Sequence, residues 1–345
     1  MGQTVTLLPA GWADGSYLDL THEQTSVPSQ PIDVHRAWRG GEVDPRQCVI
    51  TLDAGVVAEL RQVRDTLRAH PLPMLLRKPD QFSMPRSAAL MAEVRAKLDH
   101  EVGVAALDAL PLDEFDADEA TTLFWVLGQA IGRPVAQKWD GTMLYHVRDT
   151  GQTYGYGVRG SCTNVELGFH NDNAFGIALP RYIGLCCLAP AQHGGVSRLC
   201  SLCAVHNRLL WDDSTLLARL YQPMLWDRQA EHAPGAPKAV YAPMFRWDGA
   251  RFLARVNISL VEKGYAVAGL DMDLRLEAAL ALLGQVMNDP ELWFELPLGR
   301  GQLQYLDNLN VVHYRSEFVD HPDTASKRHL LRTWHRDGGR PTYDG

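Results

Sequence analysis

Apolar residues recur at helical spacing in three stretches of the first third of the chain. DAGVVAELRQVRDTLRAH (53–70) opens on Asp53, a residue type that caps helix N-termini, and predicts a helix. SAALMAEVRAKLDHEVG (87–103) and ADEATTLFWVLGQAIG (117–132) predict two more, the second stopping on Gly132. Ahead of them, residues 1–45 are rich in Pro, Gly and Ser without sustained periodicity and predict an irregular arm. Beyond Gly132 the pattern shortens to apolar runs between Gly, Pro and Asn turns. GTMLYHVRD, PRYIGLCCLAP and GVSRLCS read as strands, and SLCAVHNRLLWDDSTLLARLYQ as one helix or two. AVYAPMFRWDGARFLARVNI reads as a hairpin across Asp248-Gly249, and MDLRLEAALALLGQVMND (272–289) as an amphipathic helix. ELWFELPL, GQLQYLDNLNVVHYR and KRHLLRTWHRD form a final strand group, in which His313 ends one apolar-rich strand begun after the Gly299-Arg300-Gly301 turn. Helices first and short strands afterwards, with no repeat or break in composition, predict an α+β fold. Its catalytic half would be a β-sandwich or jelly roll.

The composition adds exclusions. Of 345 residues 46% are hydrophobic and 21% charged, an ordinary balance for a protein with a sizeable core. The net charge of −8, with Lys and Arg scattered, argues against nucleic acid and anionic membranes as partners. No run reaches the length of a membrane span. The N-terminus has neither the basic region nor the apolar run of a signal peptide. MGQTVT fits the spacing of an N-myristoylation motif, but nothing polybasic supports it. Of six cysteines, Cys186 and Cys187 sit in an apolar run and read as small buried hydrophobes. Cys200 and Cys203 form a C-x-x-C with no second Cys or His pair at zinc spacing. A reducing, cytoplasmic location is the expectation.

The candidate chemistry begins at ELGFHNDNAF. In a strand, His170 and Asp172 would project from one face, about 6–7 Å apart at a rise of ~3.3 Å per residue. That is close enough to share a metal, but the pair needs a third ligand. Of thirteen histidines, His313 in LDNLNVVHYRSEF is the best placed. Further on, RHLLRTW sets Arg328 and Arg332 among apolar neighbours. A buried Arg requires an anionic partner, because an unpaired charge in the interior is expensive.

H-x-D, a distant His and a later Arg together resemble the Fe(II)/2-oxoglutarate-dependent dioxygenases of the taurine dioxygenase-like (TauD/TfdA) family. FHNDNAF with a following Pro resembles that family's proximal motif, PAQHGGVSRLCS its Gly-Gly-x-Thr/Ser element, and LDNLNVVHYRSEFVD its Asn-rich distal segment. The resemblance spans about residues 120–340. It implies a double-stranded β-helix (jelly roll, cupin-like) core flanked by helices in a single catalytic domain, 1–345. Residues 1–115 would be the N-terminal arm and helical flank, and residues 116–345 the core with a helical insertion.

The resemblance also implies Fe(II), 2-oxoglutarate as co-substrate, and O2, with His170, Asp172 and His313 as the iron ligands and catalytic centre. Arg328 would bind the remote carboxylate of 2-oxoglutarate, which suits a planar, permanently charged fork, and Ser197 would donate a hydroxyl to it. Arg332 falls where several relatives meet an acidic group of the substrate; the alternative is a salt bridge inside the barrel. Arg159, Asn164 and Glu166, in the segment before the triad, are further candidates for substrate contact. Asp172 argues against halogenation, which needs a small residue there. The implied activity is hydroxylation of an unactivated C–H of a small, acidic or amino-acid-like molecule, in natural-product biosynthesis or catabolism. Desaturation, epoxidation or cyclisation, or a non-catalytic cupin-like binding protein, stand as alternatives, and a homo-oligomer is left open.

Overall fold

Helix starts are set by local hydrogen bonds. In a computed structural model of the protein, residues 17–21, 25–32, 35–155 and 157–344 are described, and the MGQTVT motif lies outside them. Helix Ala54–Ala69 starts where the Asp53 carboxylate accepts the Val56 amide at 2.8 Å, and it buries Val56, Leu60, Val63 and Leu67. Helix Pro85–His100 begins on a proline, whose missing N–H is not needed in a first turn. Glu59 of the preceding helix accepts the next two amides, Arg86 at 2.9 Å and Ser87 at 2.8 Å. Helix Ala117–Gly128 is capped reciprocally by Asp116 and Glu119. Apolar faces of the three helices form one cluster with Tyr182, Leu303, Tyr305 and Leu331 of the larger sheet.

That sheet runs Val49–Ile50, Val104–Leu107, Leu303–Asp307, Tyr182–Ala189, His329–Arg336. Arg133–Val135 and Leu144–Val147 both lie along the far side of the last strand. A smaller sheet runs Trp293–Glu295, Ser197–Ser201, Val311–Arg315, Leu167–His170. Val104, Ala106 and Leu306 of the larger sheet meet Leu199, Phe294 and Val311 of the smaller in one apolar cluster, so the sheets pack face to face. Elsewhere they part around a cleft of about 460 Å³. Helices Leu202–Leu220, Ile258–Ala268 and Leu274–Met287 share a further cluster with Phe169, Cys200, Val312 and Tyr314 of the smaller sheet. No helix among the described residues is long and apolar enough to cross a membrane.

Several expectations change. The single strand ending at His313 is two strands, Leu303–Asp307 and Val311–Arg315, and they belong to different sheets. The chain crosses between sheets where Asp307 accepts the Leu309 and Asn310 amides at 3.1 Å each, through its carboxylate and its carbonyl. Val104–Leu107 escaped the pattern because all four of its residues are buried and nothing alternates. Helix Ile258–Ala268, capped by Asn257, was also not anticipated, and Tyr17–Asp19 of the expected arm pairs with Ala239–Pro243. Helix Leu202–Leu220 is kinked at Asp213, whose carboxylate caps Thr215 and Leu216 and restarts it. The hairpin across Asp248-Gly249 joins Phe245–Trp247 to Phe252–Ala254, with Gly249 at φ 97°.

His206 and His335 are fully buried and bonded to neutral hydroxyls, Tyr221 and Thr333, at 2.8 Å each. Burial pushes both imidazoles down to about 4. The unfolded chain, titrating near ~6.5, takes up these protons first, so their contribution to stability is complete above that value and fades as pH falls towards 4. Melting curves should therefore show Tm falling across this window, and His206→Gln should flatten part of the slope. An unchanged Tm would contradict burial in the neutral form.

Candidate metal centre

One rung of the smaller sheet brings the two imidazoles together. His313 of Val311–Arg315 lies directly opposite His170 of Leu167–His170, and the ring centroids are 4.3 Å apart. Asp172 completes the set, with Oδ1 3.8 Å from Nε2 of each histidine. The ligand atoms all lie within 4.8 Å of one another, and among the described residues no other group of His, Cys, Asp or Glu could hold a metal this way. Asp172 does not arrive by strand alternation, as the sequence suggests. The strand ends at His170, and Asp172 stands in the turn that follows, ahead of Asn173 at φ 58°.

A buried polar cage fixes that turn. Asn308, fully buried between the two sheets' strands, accepts the Asp172 amide at 2.8 Å and donates to the Asp172 carbonyl at 3.1 Å. Asn171 donates to the Asn308 carbonyl and accepts the Val256 amide. The carboxylate of Asp172 is held separately. Trp334 Nε1 donates to Oδ2 at 2.7 Å, and Arg332 Nη1 lies 3.0 Å from Oδ2 and donates to Oδ1 at 3.2 Å. Arg332 Nε donates to Gln137 Oε1 at 2.8 Å, and Gln137 Nε2 returns a bond to the Arg332 carbonyl at 2.7 Å. Gln137, Asn308 and Trp334 were missed from the sequence. Asn308 lies in LDNLNVVHYRSEF and Trp334 ends RHLLRTW, but nothing in either stretch marks them as partners of Asp172, and Gln137 lies in no motif.

The electrostatics favour ligands in their metal-binding forms. Burial lowers both imidazoles, with His313 brought to about 3, so both are neutral near pH 7. His170 Nδ1 lies 2.8 Å from the Gly168 carbonyl, which only accepts; its hydrogen sits there and the Nε2 lone pair faces the centre. His313 Nδ1 is buried without a partner among the described residues. For Asp172 burial works against ionisation, yet Arg332, the two imidazoles and Trp334 hold the carboxyl below its ordinary value. A carboxylate with two neutral imidazoles is a facial set suited to a divalent iron-type ion.

Arg328 and Ser197 line the same cleft. Arg328 is 5% exposed, its Nη1 has no partner among the described residues, and burial pushes it down to about 10. Gly195 makes room for it: its φ is positive, and a Cβ there would stand 3.0 Å from Arg328 Nε. Arg332 also lines the cleft, but its guanidinium is committed to Asp172 and Gln137, the arrangement of an internal salt bridge.

Of the other candidates, Arg159 lines the cleft and is paired with Glu231 at 2.9 Å, while Glu166 lines it and is hydrogen-bonded to Tyr314. Asn164 does not line it; its side chain reaches the Phe318 carbonyl at 3.4 Å. His146 bonds to His329 away from the cleft, and His193 belongs to a short exposed strand. Cys200 and Cys203 are buried free thiols.

Comparison with known proteins agrees with this geometry. The family model described as taurine catabolism dioxygenase TauD, TfdA family, matches residues 69–334. The chain is 27% identical over 318 residues to FR-33289 synthase of Streptomyces rubellomurinus, covering 89% of this chain and 91% of that protein. It is 26% identical over 339 residues to a taurine hydroxylase-like protein of Stachybotrys chartarum, covering 90% and 84% respectively. Among solved structures, asparagine oxygenase with Fe(II), 3-hydroxyasparagine and succinate superposes with a TM-score of 0.64 at 20% identity, over 84% of this chain and 94% of that one. The non-heme iron oxygenase OrfP with Fe superposes with a TM-score of 0.60 at 16% identity, over the same shares. The chain belongs to the TauD/TfdA family and is an Fe(II)/2-oxoglutarate-dependent dioxygenase.

Proposed function

We propose that His170, Asp172 and His313 hold Fe(II), that Arg328 and Ser197 seat the remote carboxylate of 2-oxoglutarate, and that the enzyme hydroxylates an unactivated C–H of a small acidic or amino-acid-like molecule. One observation carries this reading: the triad and a buried Arg328 with an unpartnered N–H face the same cleft. The donor set fits the ion, since three facial ligands leave adjacent positions for a chelating 2-oxo acid and O2. When bound, iron and 2-oxoglutarate supply the oxidising power, coupling decarboxylation to succinate and CO2 with attack on the substrate. The chain's own residues orient and insulate. Asp172 would hold the ion through its carboxylate while Trp334 bonds to Oδ2 and Arg332 contacts both oxygens, so Arg332 positions the ligand. Leu185, Leu330 and Phe169 line the cleft with apolar surface. Arg159 and Glu166 supply charge for a zwitterionic or acidic substrate. Relatives of the same fold crystallised with hydroxyasparagine and hydroxyarginine support the amino-acid-like class. The same reading takes the two facing sheets as a double-stranded β-helix within one catalytic domain spanning 1–345. Screening small acids and amino acids for substrate-stimulated succinate formation tests the activity; no stimulation by any of either class would contradict the substrate class.

Anaerobic protein with Fe(II) and 2-oxoglutarate should show a weak visible charge-transfer band, lost in His170→Ala, Asp172→Ala or His313→Ala. A full-strength band in any of them would remove that residue from the ligand set. Arg328→Ala should weaken 2-oxoglutarate by two to three orders of magnitude, the equivalent of ~3–5 kcal/mol for a broken buried charge pair, and leave Fe(II) binding near wild type. Unchanged co-substrate affinity would move the seat elsewhere.

Arg332→Met should lower Tm and Fe(II) affinity together, because it strands the buried Asp172 carboxylate at a cost of about 3–5 kcal/mol. A stable variant with wild-type metal affinity and a raised KM for substrate would instead make Arg332 the substrate anchor.

A further inference from the structure

We infer that Arg315 is a second cation for the remote carboxylate of 2-oxoglutarate, sharing that group with Arg328; the inference rests on the reading of Arg328 given above. Arg315 follows His313 by two residues on one strand, so both side chains leave the same face, and both line the cleft. Its cross-strand partner is Ser197. Arg315 therefore sits between an iron-ligand position and the proposed hydroxyl donor.

Its hydrogen bonding is half complete. Nη2 donates to the backbone carbonyls of Thr163 and Val165, which fixes the plane of the guanidinium. Nε and Nη1 are buried without partners among the described residues. Arg328, 5% exposed where Arg315 is 6%, has an unpartnered Nη1 as well. Both guanidinium carbons stand 4.9 Å from the centroid of the Phe318 ring. Neither arginine makes an ion pair among the described residues. Asp320, the acid that bears on Arg328, is bound through Oδ1 to the Arg328 backbone amide at 2.8 Å.

Two buried like charges with three unpartnered nitrogens, no ion pair, and only Asp149 and Asp320 acting on them from longer range form a costly arrangement unless an anion enters. A carboxylate has four lone-pair sites and can accept from Nη1 of each arginine at once. The position beside Ser197 and Arg328, on the strand that carries His313, suits the far end of a 2-oxo diacid whose other end lies at the triad. Lysine could supply the charge at this position but could not both hold the Thr163 and Val165 carbonyls and offer a further N–H in a fixed plane.

The test compares two 2-oxo acids with the same head group, 2-oxoglutarate and 2-oxopentanoate, the second lacking the remote carboxylate. Each is titrated into anaerobic Fe(II)-loaded protein, with the charge-transfer band as readout. Arg315→Met should raise the Kd for 2-oxoglutarate on the order of tenfold, the loss expected for a charge-assisted hydrogen bond, and leave that for 2-oxopentanoate unchanged. Arg315→Lys should show a smaller rise, again confined to 2-oxoglutarate, and carries the comparison if the Met variant does not fold. Equal weakening of both acids would assign Arg315 to bracing the 163–165 segment and overturn the inference, as would unchanged affinity for both. A wild-type protein with no band for either acid would instead overturn the iron and 2-oxoglutarate reading itself, an outcome distinct from failure of Arg315.

Discussion

The Asp172 carboxylate is the charge on which the centre depends. It is 5% exposed, and an isolated carboxylate at that depth would protonate rather than remain an anion. Trp334, through Oδ2, and Arg332, against both oxygens, prevent this. The two imidazoles face Oδ1 with Nε2 of each 3.8 Å away. Removing one partner of such a pair typically costs ~3–5 kcal/mol, a large share of the ~5–15 kcal/mol that stabilises an ordinary domain. The site is therefore part of what holds the two sheets together. Arg332 and Trp334 come from the larger sheet, His170 and His313 from the smaller, and Asp172 joins them from the turn after the His170 strand.

The hydrogen-bonded cage around the turn has the same logic. Asn308 ends one sheet's contribution and begins the other's, and its side chain holds both backbone groups of Asp172. A carboxylate placed by a turn could drift where one on a strand could not. Three fully or nearly buried amides, Asn171, Asn308 and Gln137, take that freedom away with bonds to backbone or to Arg332. Supporting hydrogen bonds of this kind tune and orient metal ligands.

Much of the centre was legible because its chemistry uses rare residue patterns. His170, Asp172 and His313 stand out because five elements in order resemble one family's motifs, and the fold brings the three within 4.8 Å. Arg328 stands out by the same resemblance, and the fold buries it with Nη1 unpartnered among the described residues. The helices at 54–69, 85–100 and 117–128 were legible from caps and periodicity. What stayed hidden was long-range. A single apolar stretch gave no sign that Leu303–Asp307 and Val311–Arg315 enter different sheets, since periodicity reports a face and not a partner. Val104–Leu107, buried on both faces, had no alternation to read. For Arg332 the sequence offered substrate anchor or internal salt bridge, and only the fold shows Asp172 and Gln137 against its guanidinium.

The most direct test is a crystal structure of the protein grown or soaked anaerobically with Fe(II) and 2-oxoglutarate. The account predicts one ion bound to Nε2 of His170, Nε2 of His313 and the Asp172 carboxylate, with Trp334 still bonded to Oδ2 and Arg332 still against that carboxylate. An ion that leaves Asp172 out of its coordination sphere, or an Arg332 swung away from Asp172 onto a bound acid, would contradict it.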